Sequence, residues 1–362
     1  MEPTLFKKLK SLVKKCLILQ SQLILDTKVL TPVNLIEERQ KFFDSKTYNP
    51  QFKYQKKELD VMEDAISALL DELNQLGLPE DLRTFYEKTI VQIQNQLKTV
   101  HAIGTKNFAA FSSRLFALTP EVFKEYIDRV PSVEFNTKTG RKLLDASTIQ
   151  KYFTQVVDNY QFDVEVVLDD FNPFTVRVGS KRLVIGSKIR RYKNNVLRLV
   201  THEIESHIIR RKSLIQMRNP LHRLAPFDQA ILYSEGLAVY NEITQKKITK
   251  SAMNTYLQRL HSVSKLELSF REIYTYLLNF MTPQLAFVMT YRVKRGMSDT
   301  SLPGGYEKDA YYLMGYFAVK DFVDKGGNLK DLYTFAVPEL GILLKKYNLA
   351  SDKEPLLPKF LS

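Results

Sequence analysis

The sequence has little cysteine: Cys16 is the single one among its 362 residues. One thiol cannot form a disulfide within the chain, and such a composition fits a reducing compartment. Long apolar runs are also lacking, because residues 17–25, which are largely apolar, are interrupted by three polar side chains and are too short to span a bilayer. The first residues lack the order of basic, apolar and small-residue segments that marks a signal peptide. These absences predict a cytoplasmic protein without a membrane partner.

Signatures of nucleic-acid binding are lacking as well, although the net charge is +13. No zinc knuckle, RNA-binding motif or basic run interleaved with aromatic residues occurs, and lysines stand in scattered pairs such as Lys7-Lys8 and Lys345-Lys346. A nucleic-acid partner is therefore not expected. The positive charge fits solvated faces that could attract an acidic polypeptide.

The sequence does have helical periodicity over its first hundred residues. Apolar residues recur at helical spacing within residues 5–17, 59–73 and 82–97, and no repeat or low-complexity linker separates these segments from the remainder. We therefore predict an N-terminal helical accessory region, residues 1–103, and a second domain, residues 104–362, that contains the functional site.

The clearest strand pattern begins at residue 164. Residues 164–168 alternate in polarity, and residues 174–178 and 182–185 predict a hairpin, after which a helix begins near Lys193 or Asn194. The expected fold is α+β and mostly helical, with a small antiparallel sheet that precedes a histidine-bearing helix.

That helix contains His202, Glu203 and His207, and the chain has only five histidines. Two imidazoles can bind a zinc ion, and a glutamate beside the first can accept a proton from the zinc-bound water. The familiar motif places the histidines four residues apart. Here they are five apart, which separates the side chains by about 140° on an ideal helix instead of about 40°. Either the pattern is accidental and the histidines are structural, or a π-type bulge absorbs the extra residue.

A catalytic zinc ion needs a third protein ligand, which we expect on a helix downstream. The segment that starts at Ser234 fits, with Ser234 as its N-cap and with Glu235 and Glu242 along one face. Glu235 is the candidate ligand, and Glu242, two turns later, could orient a ligand imidazole. The alternative is that both glutamates are solvated helix positions. A small sheet directly before such a helix is the layout of many metallopeptidases.

Four ordered motifs resemble the tyrosine/methionine carboxypeptidase family, which includes microtubule-associated tyrosine carboxypeptidases and bacterial proteins with a Gln-Glu-Gly-Leu-Ala motif. The resemblance covers roughly residues 100–320, although Ser234 stands where bacterial members often have Gln. It implies a zincin-like metallopeptidase with an HExxxH helix and one Zn²⁺ per chain. The motifs are His-Glu-Ile-Glu-Ser-His (202–207), Ser-Glu-Gly-Leu-Ala (234–238), Tyr-Arg-Val-Lys-Arg-Gly (291–296) and Gly-Gly-Tyr-Glu-Lys-Asp-Ala-Tyr-Tyr-Leu-Met-Gly (304–315).

By this resemblance His202, His207 and Glu235 match the metal ligands and Glu203 matches the catalytic glutamate. The five-residue spacing then becomes a prediction about geometry. The helix should be widened or broken between the two histidines, and both rings should converge with the Glu235 carboxylate on one point.

The leading hypothesis is a zinc carboxypeptidase that hydrolyses the C-terminal peptide bond of a peptide or protein and releases a tyrosine or another bulky residue, with an acidic C-terminus as one candidate substrate. Alternatives are an aminopeptidase or endopeptidase with the same chemistry, and a non-catalytic, metal-stabilised binding or regulatory protein. A terminal carboxylate needs an Arg or Lys partner, and an oxyanion needs a donor. The candidates are Arg292, Arg295 and Lys308 for the carboxylate, and Tyr306, Tyr311 and Tyr312 for the oxyanion.

Overall fold

The computed structural model describes residues 2–23, 25, 28–55, 62–118, 120–129, 133–136, 142–170, 175–179 and 181–362, and these are mostly helical. A π-helical segment, called the π turn below, spans Val200–Ile208. Short 3₁₀ turns span Pro220–His222 and Glu307–Ala310. The α-helices are α1 (Pro3–Gln22), α2 (Leu35–Asp44), α3 (Met62–Asn74), α4 (Glu80–His101), α5 (Phe108–Phe116), α6 (Pro120–Asp128), α7 (Ala146–Asn159), α8 (Lys193–Leu199), α9 (Ile209–Gln216), α10 (Phe227–Thr244), α11 (Lys250–Val263), α12 (Phe270–Leu277), α13 (Pro283–Lys294), α14 (Tyr311–Asp324), α15 (Asp331–Thr334) and α16 (Pro338–Lys346). The strands are β1 (Leu143–Asp145), β2 (Glu165–Asp169), β3 (Val176–Val178), β4 (Arg182–Gly186) and β5 (Arg190–Tyr192).

The three apolar stripes of the N-terminal region form helices, as predicted. In α1 the buried side chains are Leu9, Leu12, Val13 and Cys16, which repeat every three or four residues and therefore lie on one face. They pack against α3, α4 and the C-terminal residues 335–349 in one core. Leu59, at the start of the second stripe, lies outside the described residues. The boundary after residue 103 stays a prediction.

The sheet before the histidine helix is mixed, so the prediction of an antiparallel sheet was partly wrong. Strands β3 and β4 form the expected antiparallel hairpin, but β2 pairs with β4 in parallel, in the order β2-β4-β3. The most buried strand takes the centre, because Leu183 and Ile185 of β4 are fully buried. Residues 174 and 180 of the predicted hairpin lie outside the described residues. A second pair, β1 with β5, is antiparallel and was not predicted.

The histidine helix lies between this sheet and α10. Val196, Val200, Ile204 and Ile208 recur every four residues and pack against α7 and β4 on one side. On the other side α10 runs along the π turn and packs closely against α14. The helix that bears the histidines is thereby supported on two faces. In the described part of the chain, no helix is long and apolar enough to cross a membrane.

The contact between α10 and α14 depends on two glycines. A Cβ atom added to Gly236 would lie 2.2 Å from the backbone carbonyl group of Gly315, and one added to Gly315 would lie 2.2 Å from the Leu232 carbonyl oxygen. No real Cβ atom tolerates such distances, so the two helix backbones meet where neither has a side chain. This crossing fixes the helix that carries Glu235, the residue directly before Gly236.

We expect Gly236→Ala to lower the free energy of unfolding by at least about 2 kcal/mol, because the added methyl group must push two backbones apart. The better helix propensity of alanine, about 1 kcal/mol, offsets only part of this cost. Urea unfolding of the two proteins measures the difference. Gly179→Ala is the control, since its Cβ would have its nearest neighbour at 3.4 Å. Equal stability of the Gly236 variant and the native protein would contradict the close crossing.

Candidate active site

The histidine helix widens where the sequence required it to widen. It changes from α to π at Val200 and returns to α at Ile209, whose N–H donates to the Ile204 carbonyl five residues earlier. Because the backbone hydrogen bonds of the π turn span five residues instead of four, His202 and His207 lie on the same side, with ring centroids 4.9 Å apart. The predicted distortion of the helix is confirmed.

Glu235 on α10 completes a cluster with the two imidazoles. Ligand atoms of the three residues all lie within 4.8 Å of one another. Glu235 Oε2 is 3.7 Å from His202 Nε2 and 3.6 Å from His207 Nε2, distances that are too long for hydrogen bonds. Among the described residues this buried oxygen has no hydrogen-bond partner. Ligands about 2.0–2.1 Å from a tetrahedral zinc ion lie roughly 3.3 Å apart, so the two carboxylate–imidazole distances of 3.7 and 3.6 Å are close to what such an ion requires.

Helix α10 also orients both rings. His202 Nδ1 donates to Glu242 Oε1 at 2.7 Å, and Ser234 Oγ is hydrogen-bonded to His207 Nδ1 at 3.3 Å. With each Nδ1 engaged, each Nε2 is directed towards Glu235. The prediction that Ser234 caps this helix was wrong. The helix begins seven residues earlier, at Phe227 after Pro226, so Ser234 lies in its middle.

The charges around these rings favour a cation. Burial raises the pKa of Glu235, but the Lys308 ammonium 3.3 Å away and the two imidazoles hold that pKa well below its ordinary value. Glu242 is fully buried, yet its pKa is lowered because Arg198 lies 2.7 Å away and His202 is hydrogen-bonded to it. Burial opposes a charged His202, but the carboxylates of Glu235 and Glu242 raise its pKa to about 10. Two ionised carboxylates therefore flank the His202 ring.

Glu203 and His202 line one cleft of about 640 Å³. Its walls come from β3, from α11 and from residues 292–312, and Glu203 is half-buried within it. The cleft thus presents the Glu203 carboxylate beside the cluster of His202, His207 and Glu235.

All three predicted cations reach this cleft, together with two residues that sequence reasoning missed. Arg292 donates from Nε and Nη2 to the two carboxylate oxygens of Asp309, at 2.6 and 2.7 Å, and Arg295 Nη2 is 3.7 Å from the same carboxylate. Arg259 adds a third positive charge near it and lowers the pKa of Asp309, whose burial alone would raise that pKa. Arg259 lies on α11 outside the four motifs, so no sequence signal pointed to it.

Of the three predicted tyrosines, Tyr312 lines the cleft. Its ring is nearly parallel to those of His202, 6.3 Å away, and Tyr256, 5.5 Å away. The expectation for Tyr306 and Tyr311 is corrected, because both are buried and their hydroxyls donate to the carbonyls of Leu25 and Phe116. Tyr311 and Tyr312 are neighbours at the start of α14, and of the two only Tyr312 lines the cleft.

Two histidines and a glutamate lie close enough together to hold a metal ion, and a second glutamate follows the first histidine directly. Residues 40–337 match the family model for microtubule-associated tyrosine carboxypeptidase. The chain belongs to this family, which confirms the resemblance inferred from the four motifs. The match also begins well before residue 100 and takes in α3 and α4.

Named relatives agree with this assignment. Microtubule-associated tyrosine carboxypeptidase 1 of Mus musculus is 24% identical over 308 residues, which are 80% of this chain and 55% of that protein. The Homo sapiens protein of the same name is 25% identical over 304 residues, which are 79% of this chain and 54% of that protein. The chain thus spans a little over half the length of the curated relatives it matches.

Proposed function

We propose that this protein is a zinc carboxypeptidase with a zincin-like core, and that it removes a C-terminal tyrosine or another bulky residue from a polypeptide in the cytoplasm. The observation that carries the proposal is the convergence of His202, His207 and Glu235 beside Glu203, next to a cleft that several arginines line. The names of the relatives support tyrosine as the residue released. A net charge of +13 would favour encounter with an acidic substrate chain.

His202 Nε2, His207 Nε2 and a Glu235 oxygen would hold the ion. The donor set suits zinc, which accepts imidazole and carboxylate ligands, and the hydrogen bonds of α10 to both rings keep the coordinating nitrogens directed inwards. When bound, zinc supplies Lewis acidity towards water and towards the scissile carbonyl.

Glu203 is suited to move the proton. Its carboxylate accepts a proton from the attacking water and can return it to the nitrogen of the departing amino acid. Tyr312 is the donor we favour for the negative charge that develops on the carbonyl oxygen, because its ring is held beside His202 at the cleft.

Arg295 and Arg259 are the best-placed partners for the terminal carboxylate of the substrate. Two nitrogens of Arg292 are already bound to Asp309, and Lys308 is paired with Glu235. By contrast, the Nε atoms of Arg295 and Arg259 have no hydrogen-bond partner among the described residues.

The arginines around Asp309 carry a surplus of positive charge. Asp309 is one buried carboxylate surrounded by the three guanidinium groups of Arg259, Arg292 and Arg295. A second carboxylate, brought by the substrate, would reduce this imbalance and satisfy the free donors. A receptor of this kind would restrict cleavage to the last peptide bond.

Matched peptides test the proposal. We expect a zinc-loaded sample to release one residue from a peptide that ends in Glu-Glu-Tyr with a free carboxylate, and to do so equally well when its N-terminus is acetylated. The C-terminal amide of the same peptide lacks the carboxylate that the arginines would bind, so it should react at least about 100-fold more slowly. This factor corresponds to a loss of roughly 2.7 kcal/mol of transition-state binding. Mass spectrometry of the products measures both rates.

Other outcomes point to other functions. Equal cleavage of acid and amide would overturn the carboxypeptidase assignment in favour of an endopeptidase, and release of the first residue would indicate an aminopeptidase. Zinc binding without cleavage of any peptide would favour a metal-stabilised binding protein.

A further inference from the structure

The backbone of the π turn is hydrogen-bonded to buried side chains. Two of its carbonyl groups receive side-chain hydroxyls: Ser206 Oγ donates to the Thr201 carbonyl at 2.8 Å, and Tyr333 Oη donates to the Glu205 carbonyl at 3.1 Å. Thr201 lies directly before His202, and Glu205 lies between the two histidines. A π turn is a rare conformation, so bonds formed in this geometry favour it over a regular α-helix.

Asn241 connects the two hydroxyls. Its Nδ2 donates to Ser206 Oγ at 2.8 Å and to Tyr333 Oη at 2.9 Å, which leaves both hydroxyl protons free to point at the carbonyls. Ser206, Asn241 and Tyr333 are each fully buried, so water does not compete for these bonds.

Asn241 also belongs to the helix that completes the metal site. On α10 it lies seven residues after Ser234, and Glu242 lies seven residues after Glu235, so these pairs repeat at two turns of one helix. Through Asn241, α10 contacts the same turn whose histidines its other side chains orient.

We propose that Ser206, Asn241 and Tyr333, called the π-turn network, hold the helix in its widened form and so place His202 and His207 on one ion. They are positioning residues, since none of them is among the converging ligands. The inference rests on the metal site of the proposed function and is independent of the substrate.

Single-group variants test the network in the full-length chain. Tyr333→Phe and Ser206→Ala each remove one hydroxyl, Asn241→Leu removes both amide donors, and Ser206→Thr retains the hydroxyl. Thr244→Ala is the matched control, because Thr244 is exposed on the same helix and its hydroxyl donates to its own Tyr240 carbonyl.

Three measurements are made. Amide hydrogen exchange over residues 200–208 in metal-free protein reports the π turn directly. Competition with a chelator gives the zinc dissociation constant, and the visible spectrum of the cobalt-substituted protein reports ligand geometry. We expect Tyr333→Phe, Ser206→Ala and Asn241→Leu to exchange at least about tenfold faster, to bind zinc about 10–100-fold more weakly and to shift the cobalt bands. Ser206→Thr and Thr244→Ala should match the native protein.

Native exchange rates together with zinc affinities within twofold of native would overturn the inference. If Asn241→Leu does not fold, the two hydroxyl deletions decide. If the native protein binds neither zinc nor cobalt, the metal site of the proposed function fails, and the exchange of residues 200–208 alone decides whether the network holds the turn.

Discussion

Replacement of Glu203 by Gln is expected to reduce peptide hydrolysis by about 1,000-fold and to leave zinc binding unchanged. The amide keeps the size of the side chain but cannot accept the proton of the attacking water, and general acid–base groups of this kind contribute 10²–10⁴-fold. Glu203 lies in the cleft beside His202 and is not among the three residues whose ligand atoms converge. Turnover of a peptide ending in tyrosine and the zinc content of the purified protein measure the two effects.

Glu205→Gln is the matched control, since it changes another carboxylate of the same turn. Its side chain receives a hydrogen bond from Thr201 Oγ1 at 2.7 Å and lies 3.3 Å from Tyr160 Oη, so it has partners of its own. We expect its turnover to stay within a few-fold of native. If Glu203→Gln retains turnover within tenfold, Glu203 has no part in the chemistry. If it loses zinc, Glu203 is a ligand rather than a base.

The spacing of the histidines carried more structural information than any other feature of the sequence. A regular helix cannot direct residues 202 and 207 at one ion, so the metal hypothesis required a widened turn, and the structure has a π turn at Val200–Ile208. The helices of the N-terminal region were predictable for a simpler reason: apolar stripes at a period of 3.6 residues depend on local sequence alone.

Features that depend on distant contacts were not predictable. The direction in which β2 pairs with β4 is set by the path of the chain between them, which alternating polarity does not encode. Asp309 and Arg259 lie 50 residues apart in sequence. Their electrostatic interaction arises because α11 packs beside the 3₁₀ turn at Glu307–Ala310. The wrong role for Ser234 has a related cause, because a serine that caps a helix and one that binds a buried imidazole look alike in sequence.

The two glutamates of α10 should differ in their effect on metal affinity, although they lie two turns apart on one helix. Glu235→Gln replaces a proposed ligand oxygen by a weaker one and leaves Lys308, 3.3 Å away, without its ionised partner. Loss of a residue that is hydrogen-bonded to a metal ligand typically weakens metal binding by about 10–100-fold. We expect Glu235→Gln to weaken zinc binding by more than this.

Glu242→Gln should stay within that 10–100-fold range, because it removes the charge that holds His202 Nδ1 but leaves all three ligand atoms in place. Its cost should appear in stability as well, since Arg198 would keep a buried charge without the carboxylate 2.7 Å away. Chelator competition gives the two zinc dissociation constants, and urea unfolding of the metal-free proteins separates stability from affinity. Glu235 is the proposed ligand, and Glu242 is proposed to orient His202. A larger loss of zinc affinity for Glu242→Gln than for Glu235→Gln would contradict this assignment, because removal of a direct ligand should weaken binding more than removal of a residue that orients one.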